Sequence, residues 1–233
     1  NALINMLRSG KQAPVSVTFN NIRKRGELAA VVSKQIEADS ASIVAAMNNP
    51  DIAESYGFTT ETIKAMILPN TYEFYWNTGA KEFLDRMHRE YKRFWTDARR
   101  QKAEEMGFEP WEVITLASLV EAEQKQHPEE WQVIAGIYIN RLEKGMPLQS
   151  CPTLIYATGN FKIRRVLDKY KDYKSDYNTY KHTGLPPAPI NFPDLGAIQS
   201  VLNYKDTDYL YMAAKADFSG YHHFSKTYRQ HNI

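Results

Sequence analysis

The sequence predicts an α+β protein, and two patterns in its 233 residues carry that prediction. Apolar and polar side chains alternate at 15–19, the period of a half-buried strand, and a second strand, interrupted by a Pro-Asn pair, is expected at 64–76. Two short helices at 26–40 and 40–50 come between these strands, so the order is βααβ. Further along, at 113–123, apolar side chains recur at helical spacing. We therefore expect a small βααβ subdomain followed by a mixed domain of helices and short strands.

The segments on either side of this subdomain indicate where the domains divide. A short helix that ends at a glycine is predicted at 1–13, and one long, heavily charged helix is predicted at 78–107. We expect a first domain at 1–77 and a second domain at 78–233. The glycine and proline at 107–110 mark an alternative boundary.

A pair of helices in the middle of the chain carries the residues that say most about chemistry. The first helix is predicted at 110–126, and the second begins at Pro128 and ends at Gly145, a residue suited to a left-handed cap. Glu121 and Glu123 both belong to the first helix. Successive helical residues turn by about 100°, so these two side chains lie about 200° apart and cannot share one face.

The apolar stripe of the first helix distinguishes the two glutamates. Glu123 falls in the middle of the stripe, and Glu121 falls near its polar edge. A carboxyl group that faces the core is costly to ionise, so burial raises its pKa, as a general acid near neutral pH requires. The alternative is that Glu123 lies one turn beyond the core and pairs with an Arg or Lys, and spacing alone does not choose between the two. The stripe consists of Val113, Leu116, Leu119 and Val120.

Composition and charge exclude several classes of protein. Hydrophobic residues make up 43% of the chain and the net charge is +2, too small to indicate a nucleic-acid-binding face. The single cysteine, Cys151, excludes an internal disulfide. No apolar run approaches the ~18 residues of a membrane span, and because residue 1 is not Met we expect a trimmed chain. Phosphate-loop and dinucleotide motifs are absent from the sequence, so no cofactor is expected.

The C-terminal part combines short elements with a proline-rich connection. A strand or short helix is predicted at 153–156, and a surface helix with a loop at 161–176. The prolines at 184–190 indicate a rigid loop, because proline fixes backbone dihedrals without needing a ladder of hydrogen bonds. A helix is expected at 195–202 and a strand at 208–213.

Three histidines near the end of the chain raise the question of a metal site. His222 and His223 are adjacent and would project to opposite sides of a strand, while His231 lies further along. No cysteine or carboxylate spacing completes a tetrahedral set of ligands. We therefore expect no metal.

Several motifs within residues 111–232 together indicate a family. They are LASLVEAEQ, AGIYINRLEKGMPLQSCPTLIYATG, YNTY, GLPPAPI, DYLYM and HHFSKTYRQHN. With these motifs the sequence resembles the endolytic murein transglycosylases of the MltG/YceG type. The N-terminal βααβ order also resembles the LysM-like subdomain of that family, at far lower specificity.

The resemblance implies a bacterial enzyme that cuts the β-1,4 bond between N-acetylmuramic acid and N-acetylglucosamine inside peptidoglycan glycan strands. The cut would be non-hydrolytic and leave 1,6-anhydromuramic ends. The catalytic acid of the family falls on Glu123, in agreement with the helical-face argument, and Glu121 is the fallback. In the reaction that the resemblance implies, Glu123 first protonates the leaving oxygen and then takes the proton from the attacking 6-hydroxyl. The resemblance also implies a position in the cell envelope, facing the periplasm or cell wall. An inner-membrane anchor would precede this chain, and proteins of cell-wall synthesis would be further partners.

The same motifs imply which residues contact the glycan. Asn140 and Arg141 match an N-R-L motif, where a structural role is as well founded as substrate contact. His222 matches the terminal motif, but a packed structural histidine is an equally good interpretation. Neutral hydrogen-bonding side chains at the remaining positions suit acetamido sugars. The expected substrate-binding residues are Gln149, Tyr156, Tyr177, Asn178, Tyr180 and His222.

Two departures from the family pattern leave rival functions open. Cys151 stands where the family has Asp, and Gln124 stands where Thr or Ser is frequent. A muramidase-type hydrolase would need a second carboxylate beside Glu123, for example Asp168 or Asp176. A non-catalytic cell-wall-binding scaffold is the other alternative, suggested by the carboxylate that is lost at Cys151.

Overall fold

The computed structural model describes Ile4, residues 12–163 and residues 165–232. The helix predicted at 1–13 falls mostly outside these residues. Within them, helices combine with two small antiparallel sheets, which gives the predicted α+β class. None of the helices in this part of the chain is long and apolar enough to cross a membrane.

The first sheet lies in the N-terminal part. Strand β1 (Val15–Phe19) pairs antiparallel with strand β2 (Asn70–Phe74). Val17 lies opposite Tyr72, and both side chains are buried while their neighbours along the strands are exposed. The alternation predicted for β1 is therefore confirmed.

The strand predicted at 64–76 is wrong in its first half. Residues Thr62–Met66 form a turn of 3₁₀-helix whose last four side chains are buried. Pro69 follows, and because proline lacks an N–H and disfavours helical backbone before it, the turn cannot continue. The strand begins only after Pro69, at Asn70.

Three short helices, rather than the predicted two, connect β1 to this turn. They are α1 (Arg25–Val32), α2 (Ser40–Met47) and α3 (Pro50–Ser55). The side chain of Asn49 accepts a hydrogen bond from the N–H of Ile52 at 3.1 Å, and Pro50 takes the first helical position. The Asn-Asn-Pro sequence therefore ends one helix and begins another.

The helix predicted at 78–107 is in fact two helices. They are α4 (Ala80–Phe94) and α5 (Asp97–Glu105). The break falls at Trp95, a buried residue with a ψ of 74°. Arg99 and Arg100 donate to the carbonyls of Phe94 and Trp95, two groups that the break leaves without helical partners. The basic run at this point therefore serves the helix junction.

Two central helices follow, as predicted. They are α6 (Pro110–Glu123) and α7 (Trp131–Glu143). Helix α6 is buried over residues 113–120, and it ends earlier than predicted because Gln124 adopts extended backbone. Trp131 Nε1 donates to the carbonyl of Gln124 at 2.6 Å, and Pro128–Glu130 form a 3₁₀ turn before α7. Gly145 has a φ of 62°, so the predicted left-handed cap is confirmed.

Short elements make up the rest of the described chain. They are α8 (Cys151–Thr158), α9 (Asp168–Lys171), α10 (Leu195–Leu202), β3 (Tyr211–Ala214), β4 (His222–Ser225) and α11 (Tyr228–His231). The segment 153–156, for which a strand or a short helix was predicted, is helical. The helix predicted at 195–202 is confirmed, and the strand predicted at 208–213 begins later than expected. Strands β3 and β4 pair antiparallel, with Ala214 opposite His222.

Buried apolar side chains from both predicted domains belong to one core. The core includes Phe19 and Met66 from the N-terminal part, and Leu116 and Ile198 from the C-terminal part. Helix α6 packs against α7, α8 and α10, so its surface is covered over most of its length. The division at residue 77 remains a prediction.

Candidate active site

Glu123 is the last residue of α6, and three elements meet at its carboxyl group. The hydroxyl of Tyr138, from α7, donates to Oε2 of Glu123 at 3.2 Å. The hydroxyl of Ser150, just before α8, donates to the same oxygen at 3.4 Å. Among the described residues, none donates to Oε1. One carboxyl oxygen is therefore held by the protein, and the other remains available to a substrate.

The surroundings of Glu123 favour its protonated form. Burial raises the pKa of this carboxyl, and the nearby His222 and the hydrogen bonds from Tyr138 and Ser150 only partly offset that rise. The position at the C-terminal end of α6 acts in the same direction as burial, because the helix dipole disfavours a negative charge there. The residue is nevertheless partly exposed to solvent. A carboxyl group that keeps its proton to higher pH and that a substrate can reach is suited to donate that proton.

Glu121 points to a different part of the molecule. Its Oε2 accepts from the backbone N–H of Asp194 at 3.2 Å and from Nδ2 of Asn191 at 3.4 Å. Burial raises the pKa of Glu121 as well, although the Asp194 hydrogen bond opposes the change. Because both glutamates have a raised pKa, the pKa alone does not indicate which of them is the catalytic acid. Their hydrogen-bond partners distinguish them. Glu121 joins α6 to the segment before α10, whereas Glu123 faces Tyr138 and Ser150.

Asn140 and Arg141 are occupied with backbone groups of the protein. Asn140 Nδ2 donates to the carbonyls of Thr207 and Tyr209, at 2.5 and 2.9 Å. Arg141 has four acceptors, of which three are carbonyls and one is the side chain of Gln149. These acceptors are Leu210 O at 2.7 Å, Pro147 O at 3.1 Å, Leu148 O at 3.0 Å and Gln149 Oε1 at 3.3 Å. The structural interpretation of the N-R-L motif is the better supported one.

The loop before α8 is joined to the Tyr-Asn-Thr-Tyr segment. Gln149 is exposed with a φ of 55°, and its N–H donates to the carbonyl of Thr179 at 2.9 Å. The N–H of Ser150 donates to Oγ1 of Thr179 at 3.0 Å. Cys151 Sγ lies 3.1 Å from the hydroxyl of Tyr180, and burial raises the pKa of its thiol. These contacts bring Gln149 and Tyr180 to the side of Glu123 on which Ser150 lies.

Tyr156 and Tyr177 form a separate aromatic pair. Their ring centroids are 4.8 Å apart, and the charge of Arg25 acts on both phenols. Lys64 Nζ lies 4.9 Å from the centre of the Tyr156 ring. Tyr177 also lines an open cleft of about 770 Å³, which Glu61 borders on the N-terminal side. These tyrosines therefore lie toward the N-terminal part of the molecule.

Asn178 is fully buried and organises its own loop. Its Nδ2 donates to the carbonyls of Lys171 and Tyr173, at 2.9 and 2.8 Å, and its Oδ1 accepts from the N–H of Tyr180 at 3.0 Å. Every polar atom of this side chain thus bonds to the protein backbone. The sequence predicted a substrate contact here, and the geometry instead supports a role in holding Tyr180.

His222 belongs to a polar cluster that includes one residue the sequence did not single out. Its Nδ1 lies 2.8 Å from Oε2 of Glu130, a buried carboxylate in the turn before α7. Gln124 Nε2 donates to the same oxygen at 2.8 Å. The sequence offered no reason to select Glu130, because an acidic residue in the first turn of a helix is ordinarily a surface group. Its partner His222 lies 92 residues away, beyond the range of any local pattern.

The other candidate groups do not converge on Glu123. His223 is exposed, and the His231 ring stacks on Tyr211 with centroids 5.4 Å apart. In the described ranges, no three His, Cys, Asp or Glu side chains are grouped so as to hold a metal ion. Asp168 is exposed and pairs with Lys171 at 2.8 Å, and Asp176 is exposed beside Tyr177.

The fold and this site first define a class, which is an α+β protein whose central helix ends in a half-buried carboxyl group suited to acid–base chemistry. Sequence comparison then gives the family. The chain belongs to the YceG-like family, whose model matches residues 1–233.

Relatives of known name match part of the chain. It is 43% identical over 120 residues to the endolytic murein transglycosylase of Bacillus subtilis, a match covering 52% of this chain and 32% of that protein. It is 40% identical over 107 residues to the endolytic murein transglycosylase of Streptococcus pneumoniae, covering 44% of this chain and 19% of that protein. The matches thus span a third or less of these relatives.

A solved structure shares the fold. The crystal structure of a yceG-like protein from Listeria monocytogenes superposes with a TM-score of 0.79, covering 99% of this chain and 80% of that one. The two sequences are 24% identical, so the likeness concerns the fold alone.

Proposed function

We propose that this chain carries the catalytic site of an endolytic murein transglycosylase, with Glu123 as general acid and base. One observation carries the proposal: the Glu123 carboxyl has a raised pKa, is bound through Oε2 alone, and remains partly exposed. The names of the Bacillus and Streptococcus relatives support the same reaction. The substrate would be the glycan strand of peptidoglycan, cleaved between N-acetylmuramic acid and N-acetylglucosamine.

A single carboxyl group near the scissile bond is sufficient for this chemistry. Glycoside hydrolases generally need a second carboxylate, as a nucleophile or as the base that activates water. In the transglycosylase reaction the 6-hydroxyl of the muramic residue attacks its own anomeric carbon, so no water enters. Glu123 protonates the departing glycosidic oxygen and then, as a carboxylate, takes the proton of the attacking 6-hydroxyl, so the acid is restored and the product is a 1,6-anhydromuramic end. Tyr138 and Ser150 hold the acid in place, which contributes orientation rather than charge.

The predicted substrate contacts divide into two groups under this proposal. Gln149, Tyr180 and His222 would contact sugars near the acid, and the pair Tyr156–Tyr177 would contact sugars further along the strand. Tyrosine rings and hydroxyls suit acetamido sugars, which offer both apolar faces and hydrogen-bonding groups.

The remaining expectations concern the surroundings of the enzyme. We propose that β1, β2 and the helices between them form a LysM-like subdomain. We also propose that residues 1–77 make up the first domain. The protein would act in the cell envelope, held at the inner membrane by an anchor that precedes this chain, near proteins of cell-wall synthesis. A fusion to a periplasmic reporter and a search for cross-linked partners would test these points.

Mass analysis of the products tests the proposed reaction. Purified glycan strands incubated with the protein should yield fragments with 1,6-anhydromuramic ends, 18 Da lighter than hydrolytic products because no water is added. Reducing ends would instead support the muramidase alternative with Asp168 or Asp176. Binding without any cleavage would support the scaffold alternative.

A further inference from the structure

Thr179 holds two successive backbone N–H groups of the loop before α8. Its carbonyl accepts from the N–H of Gln149 at 2.9 Å, and its Oγ1 accepts from the N–H of Ser150 at 3.0 Å. Gln149 has a φ of 55°, a left-handed backbone conformation that is uncommon for residues other than glycine. Such a conformation persists only where the surrounding structure holds it. Thr179 therefore fixes the backbone of Gln149 and Ser150 in a conformation that this loop would not readily adopt by itself.

Thr153 closes a ring of hydrogen bonds with Ser150 and Thr179. The hydroxyl of Thr153 donates to the carbonyl of Ser150 at 2.8 Å, and Oγ1 of Thr153 lies 2.8 Å from Oγ1 of Thr179. A hydroxyl has one hydrogen and a carbonyl can only accept, so the hydrogen between the two threonines belongs to Thr179. Each member of the ring thus donates to the next. All three residues are buried, so a bond lost from the ring would leave a polar group without water to replace its partner.

Ser150 directs its hydroxyl away from the helix that it begins. It occupies the N-cap position of α8, where a serine oxygen ordinarily accepts from an N–H of the first turn, yet its side chain makes no capping bond. The hydroxyl instead donates to Oε2 of Glu123 at 3.4 Å. This distance is near the long limit for a hydrogen bond, so a small displacement of the Ser150 backbone would break it. The bond to Glu123 therefore depends on the ring that fixes this backbone.

The bond from Ser150 helps to determine which oxygen of Glu123 carries the proton. Tyr138 also donates to Oε2, at 3.2 Å, so this oxygen accepts two hydrogen bonds when both donors are in place. A protonated carboxyl group has one carbonyl oxygen and one hydroxyl, and the oxygen that accepts both bonds is the carbonyl oxygen. The proton then lies on Oε1, to which none of the described residues donates.

We propose that Thr179 is a positioning residue of the catalytic site, which acts through Ser150 to keep the reactive proton of Glu123 on Oε1. This inference rests on the proposed function and adds Thr179 and Thr153 to the site. Oε1 gives its proton to the glycosidic oxygen as the bond from C1 to that oxygen breaks. As the 6-oxygen bonds to C1, Oε1 takes the proton that the 6-hydroxyl releases. Tyr138 and Ser150 donate to Oε2 throughout, so neither gains nor loses a proton.

Paired substitutions of Thr179 test this role. In Thr179→Val, which removes the hydroxyl and keeps the shape, kcat for release of anhydro ends should fall about 10–10²-fold with little change in KM, because the acid is misplaced. The alkaline limb of kcat/KM should move to higher pH, since the Glu123 carboxylate loses a donor and its pKa rises. Thr179→Ser keeps the hydroxyl and should restore both. Thr115→Val, which removes a buried hydroxyl that bonds within α6, is the matched control and should behave as wild type.

A double variant shows whether Thr179 acts through Ser150. Ser150→Ala should lower kcat and move the alkaline limb at least as much as Thr179→Val does. Because the two residues act on Glu123 as one unit, adding Thr179→Val to Ser150→Ala should cause little further change, whereas independent effects would multiply. The other titratable groups that act on Glu123 stay the same in all these variants. They are Tyr138, Arg141, Cys151, Tyr180 and His222.

The outcomes separate this inference from the proposed function. If the wild-type protein releases no anhydro ends, the proposed function fails. If it does release them, the positioning role is overturned when Thr179→Val keeps its kcat, loses it with an unmoved alkaline limb, or is not restored in Thr179→Ser. Effects of Ser150→Ala and Thr179→Val that multiply would overturn it as well.

A variant at Thr153 keeps the test decisive should Thr179→Val fail to fold, as judged by circular dichroism. Thr153→Val opens the same ring at another bond, so it should lower kcat and move the alkaline limb to higher pH in the same way. A folded Thr153→Val with wild-type kcat and alkaline limb would contradict the proposed role of the ring.

Discussion

The hydroxyl of Tyr138 lies 3.2 Å from Oε2 of Glu123, and it reaches that oxygen from the buried side of α7. Burial, followed by the charge of Glu123, raises the pKa of Tyr138 well above its ordinary value, so the phenol stays a donor throughout the working range of pH. The contact orients the carboxyl group while leaving Oε1 without a protein partner among the described residues. Tyr138 therefore both positions Glu123 and limits the rise in its pKa.

Replacement of Tyr138 by Phe should move the alkaline limb of activity to higher pH. The hydrogen bond stabilises the ionised form of Glu123, so its removal raises the pKa of the carboxyl further and keeps the acid protonated to higher pH. At neutral pH we expect less than about a tenfold change in kcat/KM, since one such bond contributes about 0.5–1.5 kcal/mol. The measurement is kcat/KM against pH. Tyr75→Phe, at an exposed tyrosine, is the control, and a limb that moves to lower pH would contradict the account.

Replacement of Cys151 by Asp should also move the alkaline limb of activity to higher pH. Burial raises the pKa of the Cys151 thiol, and the charge of Glu123 adds to that rise, so the two side chains are electrostatically coupled. A carboxylate at 151 would repel the ionised form of Glu123 and raise its pKa. Cys151→Asn has nearly the same shape without the charge and should leave the limb in place. An equal shift in both variants would show that shape, not charge, is responsible.

Lys64→Met should change how stability depends on pH. Lys64 Nζ donates to the carbonyl of Pro189 at 2.7 Å and is buried; burial lowers its pKa to about 7. Above that pH, and up to the ordinary lysine value, the unfolded chain binds a proton that the folded chain does not. The free energy of unfolding contributed by Lys64 therefore rises as pH increases through this window.

Urea denaturation of both proteins at pH 6.5 and pH 9 measures this contribution. The stability of the wild type minus that of Lys64→Met should be larger at the higher pH by about 1–3 kcal/mol. Lys34→Met, at an exposed lysine, controls for the substitution itself. A difference that stays constant would mean that Lys64 keeps its proton when folded.

Gly136→Ala should destabilise the fold near the site. A Cβ at this position in α7 would collide with the backbone carbonyl of Lys205. The backbone N–H of Lys205 donates to the carbonyl of Gln132 at 2.9 Å, which fixes the Lys205 backbone against α7. Neither backbone can yield easily, so we expect a loss of about 1–3 kcal/mol in urea denaturation. Gly26→Ala in α1, where a Cβ would have open space, should be neutral or stabilising by up to about 1 kcal/mol. Equal stability of the two variants would contradict this packing.

The sequence could predict what depends on neighbours along the chain. Helical spacing alone placed Glu121 and Glu123 toward different partners, because the period of a helix is a local property. The same locality explains the errors. The charged pattern predicted one helix through Trp95, but the backbone of this buried residue leaves the helical conformation and ends α4, which no local pattern indicates.

The polar cluster was beyond prediction for the same reason. Glu130 acquires its role only when β4 brings His222 against it, and Gln124 matters because the extended backbone after α6 turns its amide into that cluster. Asn178 shows the opposite case. Its motif predicted a substrate contact, but in the folded structure the side chain of Asn178 hydrogen-bonds to backbone groups of its own loop.

The most direct test of the central claim compares two isosteric variants, Glu123→Gln and Glu121→Gln. Glutamine cannot donate the proton that the glycosidic oxygen needs, but it preserves size and much of the hydrogen bonding. We predict that Glu123→Gln releases no detectable anhydro ends from glycan strands while folding and binding them as wild type does. Glu121→Gln should retain activity, since its carboxyl serves the segment at Asn191 and Asp194. Undiminished cleavage by Glu123→Gln would contradict the account.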